Sequence, residues 1–395
     1  MQLTNGNLLW SKENKILNTY PYLSKNIECD VLVIGGGITG AITSYFLYKE
    51  GFDVTVIEKN IIGYGSTLAT TALLEYQIDE DLIKLKEIIG ENSAKRIYEL
   101  CYDAVYEMEK ICKEIDCDFE IKDCVYYTNS LLNKQSMARE YKERKKAGFD
   151  VKFIENFSIP ISSAILSSKS SAVIDPYLFT QKMFKYLKDK GVNIYESTRA
   201  ENFDCQYDNV IVKTNNNFEI DASRVIFATG FETLKYIDTD IVNLVKTFTI
   251  VTNKQKGIDT SYTARDTVSP YHYTRFYNDK IIYGGEDVKI TNKMVDEEYL
   301  KKLTNNKHNK LYSSLVKLYP DKDLDVEEAF AGTFADTIDT LPIIDEIPNM
   351  NNCFCNLGFG ANGILYSVIG GEILKEAVKG LYTKEIKMFK INRKK

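Results

Sequence analysis

A strand, glycine turn and helix near residue 30, a return to that style near residue 172, and a closing helix after a glycine-rich "GFGANG" predict an α/β chain. Two segments of different pattern interrupt it. The expected fold is a discontinuous Rossmann-like dinucleotide-binding domain carrying an inserted α+β domain of antiparallel sheet plus helices. The first domain is expected at 28–78, 170–240 and 328–395, the second at 79–169 and 241–327, with 1–27 as an N-terminal extension. A chain of 395 residues is long for one compact unit, which favours two domains.

Each element has its own signal. "DVLVI" is a short apolar run ending at glycine and reads as a buried parallel strand. "ITGAITSYFLYKE" places Ile38, Ile42, Tyr45 and Phe46 at helical spacing and stops at Gly51. "DVTVIEK" is a second buried strand, completing a β-α-β unit. Within 81–116, the residues Ile97, Leu100, Cys101, Ala104, Val105, Met108, Ile111, Cys112 and Ile115 mark one face of a long amphipathic helix. "SAVIDPYLFTQKMFKYLKDKGVNIYESTRAENF" reads as strand, helix and strand. "DNVIVKTNNNFEIDASRVIFATG" reads as a hairpin followed by a buried strand. Residues 245–290 alternate in strand fashion around a "YNDK" turn, and "GILYSVIGGEILKEAVKGL" is the closing helix.

Composition narrows the function. Hydrophobic residues make up 44% and charged residues 27%, ordinary for a globular chain. The net charge of −6 argues against a nucleic-acid partner. The run at 31–48 is broken by "GGG" and too mixed to span a bilayer, and no charged-then-apolar secretion signal opens the chain. Eight Cys form no CxxC, and two His make zinc combinations hard to assemble, so no metal is expected and a reducing, cytoplasmic setting is. Residues 323–374 contain no Lys, Arg or His yet are rich in acids.

The chemistry begins at "GGGITG", where Gly35, Gly37 and Gly40 fit G-x-G-x-x-G within Gly35, Gly36, Gly37, Ile38, Thr39 and Gly40. Gly35 permits the tight turn, Gly37 leaves room for a pyrophosphate, and Gly40 lets helix and strand approach. The helix N-terminus offers N–H groups and partial positive charge to the phosphates. Glu58, at the end of the second strand, can accept the hydroxyls of an adenosine ribose. The motif leaves NAD and FAD both open.

The ordered set "GGGITG", "VIEKNIIGYGSTLATTALL", "RVIFATG", "DTLPIID" and "LGFGANGILYSVIGG" resembles the FAD-dependent family typified by D-amino-acid oxidase, glycine oxidase and sarcosine oxidase. "YPYLSKNIECDVLVIGGG" is similar to the branch with gamma-glutamylputrescine oxidoreductase. The resemblance spans about residues 20 to 380. It implies flavin contacts from Glu58, Lys59, Ser66, Thr67, Thr70, Thr71, Ala72 and Leu73, with Ala200 facing the adenine. It further implies Ala228, Thr229 and Gly230 near the ribityl and phosphates, Gly332 on the flavin side, and Gly358, Gly360, Ala361, Asn362, Gly363 and Ile364 around the far end. Relatives that tether FAD use a His near the second motif or a Cys near the "LP" element. Neither is present, so non-covalent FAD is expected.

The resemblance implies oxidation of a small-molecule amine or amino-acid-like substrate, leaving the electron acceptor, oxygen or a protein or quinone, open. Oxidation of a hydroxy acid or polyol phosphate, or an electron-transfer subunit without its own substrate, are the alternatives. An iron–sulfur Rieske centre is not expected in a chain with two His and no CxH pairing. Members acting on free amino acids carry an Arg in a "GLRP" pattern that clamps the carboxylate. Here the matching stretch is "GTFA", with Phe334 in the Arg position, and Ala361 stands where another basic residue would. A simple α-amino acid is therefore not the expected substrate. "YHYTRFY" puts Tyr271, Tyr273, Arg275 and Tyr277 on one strand face. Tyr271 and Tyr273 are pocket candidates. Arg275 either reaches a distal carboxylate or only makes structural pairings, the second being favoured. The acid-rich stretch 323–374 points to a cationic substrate.

Overall fold

A computed structural model describes residues 4–155, 163–360 and 362–393. The nucleotide-like segments form an eight-stranded sheet. Its parallel core places Ile27–Ile34 between Val54–Ile57 and Glu219–Phe227, with Asn193–Tyr195 and Cys353–Leu357 outside them. Ile343–Glu346 adds an antiparallel edge. Alternation sorts the side chains of the central strand. Val31 and Val33 pack into one cluster with helices Ile38–Lys49, Pro176–Asp189 and Gly363–Ala377, while Leu32 and Ile34 face the hairpin strands through Val210, Val212 and Ile220. The expected hairpin-then-strand after residue 208 is simpler than read: Glu219–Phe227 is both the second hairpin arm and the buried parallel strand.

A ten-stranded sheet stands opposite. Its order runs Thr4–Gly6, Val326–Thr337, Val242–Thr252, Lys280–Lys289, Tyr273–Tyr277, Tyr262–Asp266, Glu120–Thr128, Ser163–Val173 and Leu73–Glu75, with Val151–Glu155 paired to Ser163–Val173. Asn278 and Asp279 take left-handed backbone between paired Tyr277 and Lys280, so "YNDK" is the two-residue turn that suits a twisted hairpin. On one face, Phe248 and Ile250 pack with Leu311 and Leu315 of helix Glu297–Leu318. Thr247, of opposite parity to Phe248, lines the cavity described below.

The long helical stretch is two helices, Leu82–Ile89 and Glu91–Glu114. Gly90 at φ +85° breaks it, a conformation that suits glycine. Ile97, Cys101, Ala104, Val105, Met108, Ile111 and Cys112 form the buried face of the second helix.

Candidate active site

One cavity of about 520 Å3 runs along the carboxyl ends of the parallel strands and on to the ten-stranded sheet. It starts at the glycine turn. Gly35 has φ +118°, and a Cβ there would stand 2.5 Å from the Ala228 carbonyl oxygen. A Cβ on Gly40 would come within 1.9 Å of the Gly35 oxygen, so strand and helix meet backbone to backbone. Gly37 lines the cavity where helix Ile38–Lys49 begins, and Thr67 Oγ1 accepts from the Ile38 N–H at 3.1 Å. This cradle of bare backbone at a helix N-terminus fits a diphosphate.

Glu58 lines the next part of the wall. Its Oε2 accepts from Gly36 N–H and its Oε1 from Asn60 N–H, both at 2.8 Å. Burial raises its pKa, and those two bonds oppose the rise. Lys59 pairs with Glu232 rather than standing free. Ala200, Phe203, Phe227 and Tyr236 supply an apolar end to the groove. The hydroxyl-rich segment that follows is pinned from outside, by Trp10 Nε1 donating to Thr70 O at 2.7 Å and by Ser66 Oγ donating to Thr333 O at 3.5 Å.

At the far end, helix Gly363–Ala377 points its N-terminus into the cavity. Asn362 fixes it, donating from Nδ2 to the Glu75 and Gln77 carbonyls at 3.0 Å each. A Cβ on Gly358 would stand 2.2 Å from the Gly363 oxygen, so this loop too closes on bare backbone.

The ten-stranded sheet closes the cavity with Glu75, Thr247, Arg265, Tyr273 and Asp287, joined by Gln77 and Asp79 just after strand Leu73–Glu75 and by Tyr271 just before strand Tyr273–Tyr277. Tyr271 donates to Asp79 Oδ1. The Arg265 guanidinium lies between the rings of Tyr126 and Tyr271, at 4.8 and 5.1 Å from their centroids. Burial, reinforced by the charge of Asp79, lifts Asp287 to about 6 against a hydrogen bond from Thr247. Burial and the same neighbour lift Asp336 to about 7. The inaccessible Oδ1 atoms of both lack hydrogen-bond partners.

Most residues singled out in the sequence meet at this cavity, including Thr39, Ser66, Thr71, Leu73, Ala200, Thr229, Gly230, Gly332, Phe334, Gly360 and Ile364. Gly36, Gly40 and Ala72 stand behind its wall, and Ala361 lies outside the described residues. Arg275, for which structural pairings were the favoured reading over a distal carboxylate, does not line the cavity. Its NH1 donates to the carbonyls of Thr71, Ala72 and Ile174 at 2.6, 3.0 and 2.9 Å, bracing the cavity wall from behind. Burial pulls its pKa down to about 10. Arg265, Glu75, Gln77, Asp79, Thr247 and Asp287 had not been singled out. Strand parity was the readable signal for Glu75 alone, two residues after Leu73 in Leu73–Glu75, since Gln77 and Asp79 lie beyond the end of that strand.

A groove across the carboxyl ends of a parallel sheet defines a dinucleotide-binding fold, and the sheet that caps it is antiparallel as expected except where Tyr262–Asp266 runs parallel to Glu120–Thr128. The family model described as FAD dependent oxidoreductase matches residues 30–377, and the chain belongs to that family. FAD is its cofactor, held non-covalently, and the glycine cradle and extended groove fit it. The putative Rieske 2Fe-2S iron-sulfur protein YhfW of Bacillus subtilis (strain 168) is 34% identical over 48% of this chain, and the match spans 38% of that protein's length. Gamma-glutamylputrescine oxidoreductase of Escherichia coli (strain K12) is 21% identical over 91% of this chain and 85% of its own. Glycine oxidase from Geobacillus kaustophilus has the same fold, with a TM-score of 0.74, 16% identity, and coverage of 93% of this chain and 99% of its own. Among the described residues no helix is long and apolar enough to cross a membrane, and no group of three or more His, Cys, Asp or Glu could hold a metal.

Proposed function

We propose that the protein oxidises the C–N bond of an amine that is not a simple α-amino acid, yielding an imine that hydrolyses. Bound FAD supplies the hydride acceptor, at N5 of its ring. The eight-stranded sheet and its helices, within 28–78, 170–240 and 328–395, form the cofactor unit. The segments 79–169 and 241–327 form the substrate unit, their sheet completed by Thr4–Gly6, Leu73–Glu75 and Val326–Thr337 from outside those bounds, in a cytoplasmic setting that suits eight free cysteines. Gly35, Gly37 and Thr39 hold the diphosphate, Glu58 and Ala200 the adenosine end, and Thr70, Thr71 and Gly332 the reactive ring. The N-terminus of helix Gly363–Ala377 favours negative charge developing beside Asn362–Ile364.

The observation that carries the amine reading is the charge of the cavity's sheet end. Three carboxylates, Glu75, Asp79 and Asp287, line it with one base, Arg265, and Phe334, which the sequence resemblance sets in place of the familial clamp, also lines the cavity. The acids of 323–374 divide in a way composition could not show. Glu327 pairs with Lys280, Glu328 with Lys12, Asp339 with Arg393 and Glu372 with Lys375, while Asp336, with no ion pair among the described residues, is buried within reach of the charges of Asp79 and Asp287. A buried acid cluster disfavours an anionic ligand and favours a cationic one.

Anaerobic bleaching of the bound flavin tests this. Primary or secondary amines are expected to bleach it, while glycine, alanine and hydroxy acids leave it yellow. Bleaching confined to free α-amino acids or hydroxy acids would sink the reading.

A further inference from the structure

Helix Leu131–Lys146 carries the most exposed large aliphatic side chains among the described residues. Leu131 and Leu132, in its first turn, are 80% and 89% exposed, against 58% for the next, Leu381. Asn133 Nδ2 donates to Thr267 Oγ1 at 3.2 Å, and Thr267 Oγ1 donates to Thr128 Oγ1 at 2.8 Å, so the tip is tied to the loop that leads to Tyr271. Val268, in that loop, is 46% exposed. A lone exposed leucine is ordinary, whereas adjoining ones at a fixed tip make an apolar patch.

The rest of the helix's outer face is basic. Met137, Glu140 and Arg144 turn inward. At about 3.6 residues per turn, the opposite side collects Leu131, Gln135, Arg139, Lys142 and Lys146, all of them exposed. Both acids of the helix are paired, Glu140 with Arg144 and Glu143 with Lys86. Arg139, Lys142 and Lys145 form no ion pair among the described residues, and on this face only Lys146 meets an acid, Glu91 at 3.7 Å. In a chain of net charge −6 this is a local reversal of sign.

We propose that this face docks on an anionic lipid bilayer, with Leu131, Leu132 and Val268 entering the interface and Arg139, Lys142 and Lys145 on the headgroups. Charge complementarity selects the occupant. A second copy of the chain would set one basic face against another. A soluble polyanion would use the cations and leave the leucines in water. A bilayer takes both, because its interface accepts protruding apolar side chains without a matching pocket. Among the described residues no helix is long and apolar enough to cross a membrane, so the contact is a surface one. Tyr271 follows in the same loop and lines the cavity, so docking sets the cavity's sheet end beside the membrane.

The test needs no turnover. The FAD-loaded protein is co-sedimented with vesicles of phosphatidylcholine alone and of equal parts phosphatidylcholine and phosphatidylglycerol. Binding is expected to the mixed vesicles only, falling at least about tenfold as salt rises to about 0.5 M. Arg139→Gln, Lys142→Gln and Lys145→Gln together should weaken it about a hundredfold, at roughly fivefold for each charge removed. Leu131→Ser with Leu132→Ser should weaken it at least about tenfold at the same salt. In both variants the melting temperature, the flavin absorbance and the amine concentration for half-bleaching should stay at wild-type values. Absence of wild-type binding to the mixed vesicles overturns the proposal. So does undiminished binding by the leucine variant, which would mark a face for any polyanion. A wild-type dimer in sedimentation equilibrium that the leucine variant loses would assign the tip to a second copy and overturn it too.

Discussion

Glu58 accepts a hydrogen bond from the backbone N–H of Gly36 at 2.8 Å, so the carboxylate ending one parallel strand closes on the glycine turn that ends its neighbour. Its second oxygen takes the Asn60 N–H. The side chain shapes the cradle as well as lining it. Glu58→Ala strips both N–H groups of their acceptor, at about 1–3 kcal/mol each where they stay dry. FAD affinity should fall at least about tenfold. Glu58→Gln keeps one acceptor oxygen and should lose less. Titrating the apoprotein with FAD and following flavin fluorescence measures both. Wild-type affinity in Glu58→Ala would remove Glu58 from the site.

Arg275 gives a contrasting expectation. Three backbone carbonyls, from Thr71, Ala72 and Ile174, converge on its NH1. Arg275→Ala leaves them without their donor and should cost stability by at least about 1–3 kcal/mol in urea unfolding. The amine concentration that half-saturates flavin bleaching should stay unchanged, because Arg275 does not line the cavity. A folded, fully stable variant with an altered half-saturation value would return Arg275 to the pocket.

The difference between Arg275 and Arg265 shows where reading a sequence stops. Contiguous signals were legible. A strand ending in "GGGITG", the turn at "YNDK" and the helix face from Ile97 to Ile115 each depend on neighbours a few residues away. The glycine cradle was legible for the same reason. The sheet end of the cavity was not, because it is assembled across strands. Arg265 faces Tyr271 only once Tyr262–Asp266 has taken its place between Glu120–Thr128 and Tyr273–Tyr277. Asp287 reaches Thr247 only through the pairing of Val242–Thr252 with Lys280–Lys289. Parity narrowed the choice to one face of a strand. It did not say that Arg265 lines the cavity while Arg275 stays out of it, both of them donating to backbone carbonyls.

Glu140 and Arg144 form a buried ion pair at 2.6 Å, each 1% exposed. Glu140 also accepts from the first N–H groups of helix Leu82–Ile89, at Leu82 and Ile83, and Arg144 donates to Gln77 in the cavity wall. Removing one partner strands a charge in the core. Arg144→Met is expected to cost about 3–5 kcal/mol, with Glu140→Gln recovering part of it in the double variant. Denaturant unfolding of the single variants and the double variant closes the cycle. Additive losses would mean that the two residues are not coupled.

The acid cluster sets the pH dependence of the substrate-free protein. Burial lifts Asp287 to about 6 and Asp336 to about 7, against about 3.9 for an unperturbed aspartate. Both bind their protons more tightly folded than unfolded. Their contribution is therefore complete below about pH 3.9 and lost as pH rises through about 6 and then about 7. Between about pH 5 and pH 8 the melting temperature should fall for this reason, and Asp336→Asn, permanently neutral, should flatten that fall and melt higher than the wild type at the upper end. A cationic substrate reverses the sign. An ammonium beside these carboxylates favours their charged form, so the melting-temperature gain from a saturating, non-reacting amine should be larger near pH 8 than near pH 5. A gain that shrinks as pH rises would mean that the carboxylates do not face the bound cation.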